Sequence, residues 1–153
     1  MGRLFLYVLV FSFSYAIQAQ KAITLENIYS KSGYRTKSVP GFSFLKDGRH
    51  YTIVKDGDIK MMDVTTGSLK ETIFEGGKHT GKSGFSGDFE NYFFSDDESK
   101  ILLESEEEAI YRHSYKAKCH VFDRKSGSMS EVYPYGKIVN PMLSPDGEKV
   151  AFV

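Results

Sequence analysis

The densest chemistry in this chain lies in Glu104-Ser105-Glu106-Glu107-Glu108-Ala109-Ile110-Tyr111-Arg112-His113-Ser114-Tyr115, where a run of carboxylates gives way to an arginine between tyrosines. A guanidinium is planar, always charged and able to present paired N–H donors to a carbonyl or carboxylate. Tyrosines on either side would hold it ready for that task. Arg112 is therefore the candidate binding residue. The glutamates before it also read as a solvated face, and Tyr111 and Tyr115 as packing residues.

Other reactive patterns are weaker. An α/β-hydrolase carries its nucleophile in Gly-x-Ser-x-Gly, followed by an acid and a histidine, and that pentapeptide does not occur here. His50, His79, His113 and His120 have no matching serine and acid in a triad arrangement. Even with Cys119 beside His120 they lack metal-ligand spacing. The expectation is that this chain has no catalytic, cofactor or metal site and by itself no peptidase activity. Gly76-Gly77-Lys78-His79-Thr80-Gly81-Lys82-Ser83 matches the phosphate-loop string letter for letter. That chemistry needs a helix whose N-terminal amides face the phosphates, and Gly84-Phe85-Ser86-Gly87-Asp88 is a poor helix start. The stretch reads as a flexible linker, with no nucleotide bound.

The elements that must position Arg112 show up as a repeat. Phe44-Leu45-Lys46-Asp47-Gly48, Phe94-Ser95-Asp96-Asp97 and Leu143-Ser144-Pro145-Asp146-Gly147 recur at about fifty residues, each followed by an apolar strand. Asp63-Val64-Thr65-Thr66-Gly67 answers to Asp123-Arg124-Lys125-Ser126-Gly127. Four short antiparallel strands per unit is the period of a β-propeller blade. The chain is thus predicted to be all-β, an incomplete propeller of about two and a half four-stranded blades. Two and a half blades do not close a ring, which reads as the opening of a longer protein.

Blade 1 is expected at about 41–75, with strands near Gly41 to Leu45, His50 to Lys55, Ile59 to Val64 and Lys70 to Phe74. Asp56-Gly57 marks a hairpin turn. A linker follows at 76–90, then blade 2 at about 91–134 and the start of blade 3 at about 140–153. Sixteen residues separate Asp47 from Asp63, but twenty-six separate Asp97 from Asp123. About ten extra residues therefore sit around Glu104 to Lys118, in what reads as a loop on one face of the repeat, often the binding face.

Composition narrows the class. With formal net charge +0 and no basic cluster, nucleic acid is excluded as a partner. Residues 1–19 differ from the rest: Arg3 precedes a nearly unbroken apolar run from Leu4 to Ile17, and Ala19 ends a small-residue cleavage site. The run is short for a bilayer span, which needs about 20 residues, so a signal peptide is predicted. Residues 20–40 form a lead-in with a helical turn at Thr24-Leu25-Glu26-Asn27-Ile28-Tyr29, capped by Thr24. The single cysteine, Cys119, cannot form an internal disulfide and is expected in the core. Export without disulfides points to a bacterial periplasm or cell surface.

Tyr111-Arg112-His113-Ser114-Tyr115, with Ile101-Leu102-Leu103-Glu104 before it and Val121-Phe122-Asp123 after it, resembles the second blade of the dipeptidyl peptidase IV family of serine exopeptidases. The lead-in helical turn and Ser144-Pro145-Asp146-Gly147 are similar to that family's propeller as well. Tyr111 stands where relatives often have Trp. The resemblance implies an eight-bladed propeller joined to an α/β-hydrolase domain, with substrate entering between them. It implies that Arg112 binds a substrate backbone carbonyl near the cleaved bond. The family's glutamate pair for the free amino terminus comes from a later propeller segment, so Glu106-Glu107-Glu108 is not that pair. The function so implied is substrate binding and orientation in an exported dipeptidyl or tripeptidyl peptidase. The implied partner is a peptide with a free N-terminus, and the resemblance leaves room for a homodimer of the full-length protein. The alternative is a non-catalytic exported propeller that binds a peptide or protein.

Overall fold

The computed structural model describes residues 24–29 and 41–153. The signal peptide at 1–19 and most of the lead-in at 20–40 lie outside these. The first unit contains helix α1 (Leu25–Tyr29), where the Ile28 amide donates to the Thr24 carbonyl at 3.1 Å.

The second unit, residues 40–153, is a series of antiparallel sheets. Blade 1 is a meander of β1 (Phe42–Phe44), β2 (His50–Lys55), β3 (Asp58–Asp63) and β4 (Leu69–Glu75). Blade 2 repeats it with β5 (Asn91–Phe94), β6 (Lys100–Tyr111), β7 (Ser114–Asp123) and β8 (Met129–Glu131). A third sheet holds β9 (Met142–Leu143) and β10 (Val150–Ala151). The architecture is that of an open, incomplete propeller, and the three sheets do not close a ring.

The turns follow the sequence repeat. Between β2 and β3, Asp56 and Gly57 both adopt positive φ, 60° and 78°, the conformation a two-residue hairpin turn demands. Asp63 Oδ1 accepts from the amides of Thr65 and Thr66 at 3.0 and 2.8 Å. Asp123 Oδ1 accepts from those of Lys125 and Ser126 at 2.8 and 2.9 Å. In each turn the carboxylate satisfies amides that the ladder leaves free.

The core lies between the sheets. Alternate residues of a strand face opposite ways, so Ile101 and Leu103 of β6 pack with Ile59, Ile73, Phe74 and Phe122 between blades 1 and 2. Leu102, pointing the other way, packs with Ala117, Cys119 and Ile138, against which Leu143 and Val150 of the third sheet rest. Blade 2 is therefore apolar on both faces, as stacking demands.

Two segments differ from the sequence expectation. The linker at 76–90 is not a slack tether: it forms helix α2 (Gly76–His79) and a 3-10 turn (Lys82–Gly84), and it buries Phe85 and Phe89 in the interblade core. Two large apolar rings outweigh the freedom of the surrounding glycines. The insertion in blade 2 is not a loop either. It prolongs β6 and β7 into a two-stranded arm whose tip is Arg112-His113, with Tyr111 paired to Ser114. Continuing the ladder satisfies backbone groups that a loop would have to leave to water. Opposite charges support it across the strands, Lys116 to Glu108 at 2.9 Å and Lys118 to Glu106 at 3.7 Å.

Candidate functional site

The arm begins where β5 stops. Asn91, the first residue of β5, pairs with Glu104, and the next register pairs of β6 are with β7 alone: Ser105 with Lys118, then Glu108 with Lys116. Glu106 and Glu107 together oppose Ala117, a bulge at which Glu106 takes a positive φ of 53°.

A polar cluster fills this root. The Glu104 side chain, only 2% exposed, accepts at Oε2 from the Tyr115 hydroxyl at 2.8 Å and from Asn91 Nδ2 at 3.2 Å. Asn91 Nδ2 also lies 2.6 Å from Glu107 Oε1 and 3.3 Å from the Tyr115 hydroxyl. Burial, with the charges of Glu90 and Glu104, raises the Glu107 carboxyl above its ordinary range. Burial also pushes the Tyr115 phenol up to about 12, helped by its hydrogen bond to Glu104. The Cys119 thiol is pushed up to about 12 by burial and then by Glu104. It is a core group rather than a nucleophile.

On the other side of the arm, Ala117 and Ile138 exchange both backbone hydrogen bonds at 2.9 Å. Lys137 reaches Glu108 at 3.6 Å. Glu108 is held below its ordinary range, mainly by its hydrogen bond from Lys116. The arm is thus braced from blade 2 and from the segment leading into the third sheet.

At the tip, Arg112 is exposed and makes no hydrogen bond or ion pair with the described residues. Tyr111 is 80% exposed, so it is not a packing residue. Tyr115 points its hydroxyl inward to Glu104 rather than clamping the guanidinium. The expected sandwich of Arg112 between tyrosines is therefore absent; strand alternation and the pull of a buried carboxylate turn Tyr115 away. What remains is an exposed cation whose donors meet no acceptor among the described residues, carried on a stiffened hairpin.

The remaining candidates have structural places. His50 Nδ1 bonds Asp47, His79 stacks on Phe74 with ring centroids 4.9 Å apart, and fully buried His120 meets the Ser83 carbonyl at 3.0 Å through Nε2. His113 shares the exposed tip with Arg112. In the phosphate-loop string, Ser83 Oγ donates to the Met129 carbonyl at 3.0 Å, and the next regular element is strand β5. Asn91 escaped the sequence reading, since its partners lie 13 to 24 residues away and meet it only once the register is set.

Comparison with known proteins agrees with this geometry. The family described as the dipeptidyl peptidase IV (DPP IV) N-terminal region matches residues 95–153, which include the whole arm. The probable dipeptidyl peptidase 4 of Aspergillus flavus is 30% identical over 120 residues, 77% of this chain and 15% of that protein. The crystal structure of Porphyromonas gingivalis dipeptidyl peptidase 4 superposes with a TM-score of 0.72 at 30% identity, covering 89% of this chain and 20% of that one. The chain thus spans no more than about a fifth of the length of these relatives. Its open propeller and these matches place the chain with the N-terminal region of the dipeptidyl peptidase IV family.

Proposed function

We propose that this chain forms part of the substrate-binding wall of an exported serine exopeptidase that releases dipeptides, or tripeptides, from peptide N-termini. Arg112 orients the peptide by donating hydrogen bonds to a backbone carbonyl near the cleaved bond. The observation that carries this reading is the open guanidinium at the tip of the braced arm, within a Tyr-Arg-His-Ser-Tyr string. Holding the reacting bond in place is worth much of a catalytic barrier, so a positioning contact outside the nucleophile's domain contributes to rate. The apolar run from Leu4 to Ile17 supports export to a bacterial periplasm or cell surface. Assembly of the full-length protein as a homodimer belongs to the same reading.

The test is cleavage by the full-length protein of a chromogenic dipeptidyl amide and of the same compound acetylated at its amino terminus. Release from the free compound alone supports the reading. No release from either contradicts it and favours a non-catalytic peptide-binding propeller.

A further inference from the structure

We infer that Asn91 is a positioning residue, whose side-chain amide clasps Glu104 and Glu107 at the root of the arm and so fixes where Arg112 is presented. This rests on the reading of Arg112 as the substrate contact.

The geometry makes the root a hinge. Past the Ala117–Ile138 bridge the arm has two strands only, and isolated two-stranded ribbons twist strongly and are marginally stable. The bulge at Glu106 and Glu107 interrupts the ladder at the same place. At about 3.3 Å per strand residue, the tip stands on the order of 15–20 Å beyond β5, so a tilt of about 10° at the root moves the guanidinium by about 3 Å. Misplacement on that scale is large against the tolerance of a reacting geometry.

Asn91 has the chemistry the hinge needs. Burial, and after it the charges of Glu90 and Glu104, raise the Glu107 carboxyl, so a neutral donor suits this place better than a further charge. A neutral NH₂ group supplies two donors in fixed directions. Its nitrogen reaches Glu107 at 2.6 Å and Glu104 at 3.2 Å, joining the last three-stranded position of blade 2 to the first turn of the arm. The Ala117–Ile138 bridge holds β7 on the other side, and Asn91 ties β6 to β5 through Glu104 and Glu107.

The experiment is a double-mutant cycle in the full-length protein, with kcat and KM measured on a dipeptidyl amide for wild type, Asn91→Ala, Arg112→Ala and the double variant. Asn91→Ser, which keeps one donor, serves the same cycle if Asn91→Ala does not fold. Asn91→Ala is expected to lower kcat/KM by roughly threefold to tenfold, mainly through KM, and by less than about 1.5-fold when Arg112 is already Ala, because two groups acting through one contact are not additive. An equal loss in both backgrounds, or no loss in either while Arg112→Ala alone is damaging, overturns the role of Asn91 and leaves that of Arg112 standing. No effect of Arg112→Ala overturns both.

Discussion

The Tyr115 hydroxyl donates to Glu104 Oε2 at 2.8 Å across β6 and β7, joining the strands of the Arg112 arm at its root. Glu104 is 2% exposed and its other side-chain donor is Asn91. Removing a donor from a buried carboxylate costs more than a surface hydrogen bond is worth. Tyr115→Phe is therefore expected to lower stability by about 1–2 kcal/mol in urea unfolding. The phenol's folded pKa, about 12, lies above its ordinary value of 10.0. The folded state thus holds this proton more tightly. The stabilisation it gives is complete below about pH 10 and lost as pH rises through about 12. Tyr115→Phe is expected to flatten that alkaline decline in the thermal midpoint, with the part due to Cys119 remaining.

Gly76 tests the meaning of the phosphate-loop string. A Cβ at this position would meet the carbonyl oxygen of Gly87 and lie 2.6 Å from that of Gly57, both fixed backbone atoms. The Gly76 amide donates to the same Gly57 carbonyl at 3.3 Å. Gly76→Ala is expected to destabilise by about 2–3 kcal/mol, an overpacking cost, whether or not a nucleotide is added. Chemical denaturation with and without ATP measures both halves of that statement.

Acid should act through the repeated turns. The hydrogen bond from His50 holds Asp47 down at about 2, and those from Ser95 and Ser99 hold Asp97 well below the usual carboxylate range. Asp146 is lowered chiefly by Ser144. Their folded pKa values lie below the unfolded one, so the stability they give is present above about pH 4 and is lost as pH falls below it, for Asp47 through about 2. The thermal midpoint is expected to fall across that window, less steeply in Asp97→Asn. Equal slopes would show that the turn carboxylates do not set acid stability.

How far the sequence reached depended on whether a feature was local. Asp47, Asp97 and Asp146 announced their turns because an aspartate two or three residues before its own amides acts within the turn. The open propeller followed from repeating those turns. The arm was hidden because a glutamate run has poor strand propensity, and Lys116 and Lys118 become its partners only once β6 and β7 are in register. Phe85 and Phe89 were hidden by glycines around them. Arg112 was legible from its neighbours in the chain, whereas Asn91 and the inward turn of Tyr115 needed the third dimension.

The central claim is that Arg112 contacts a peptide substrate. Its direct measurement is kcat/KM of the full-length protein on dipeptidyl amides with Arg112→Ala beside wild type. Loss of a charge-assisted hydrogen bond in the bound peptide is expected to lower it by a factor on the order of ten or more. Unchanged kinetics in a folded variant would contradict the claim and remove Arg112 from the site.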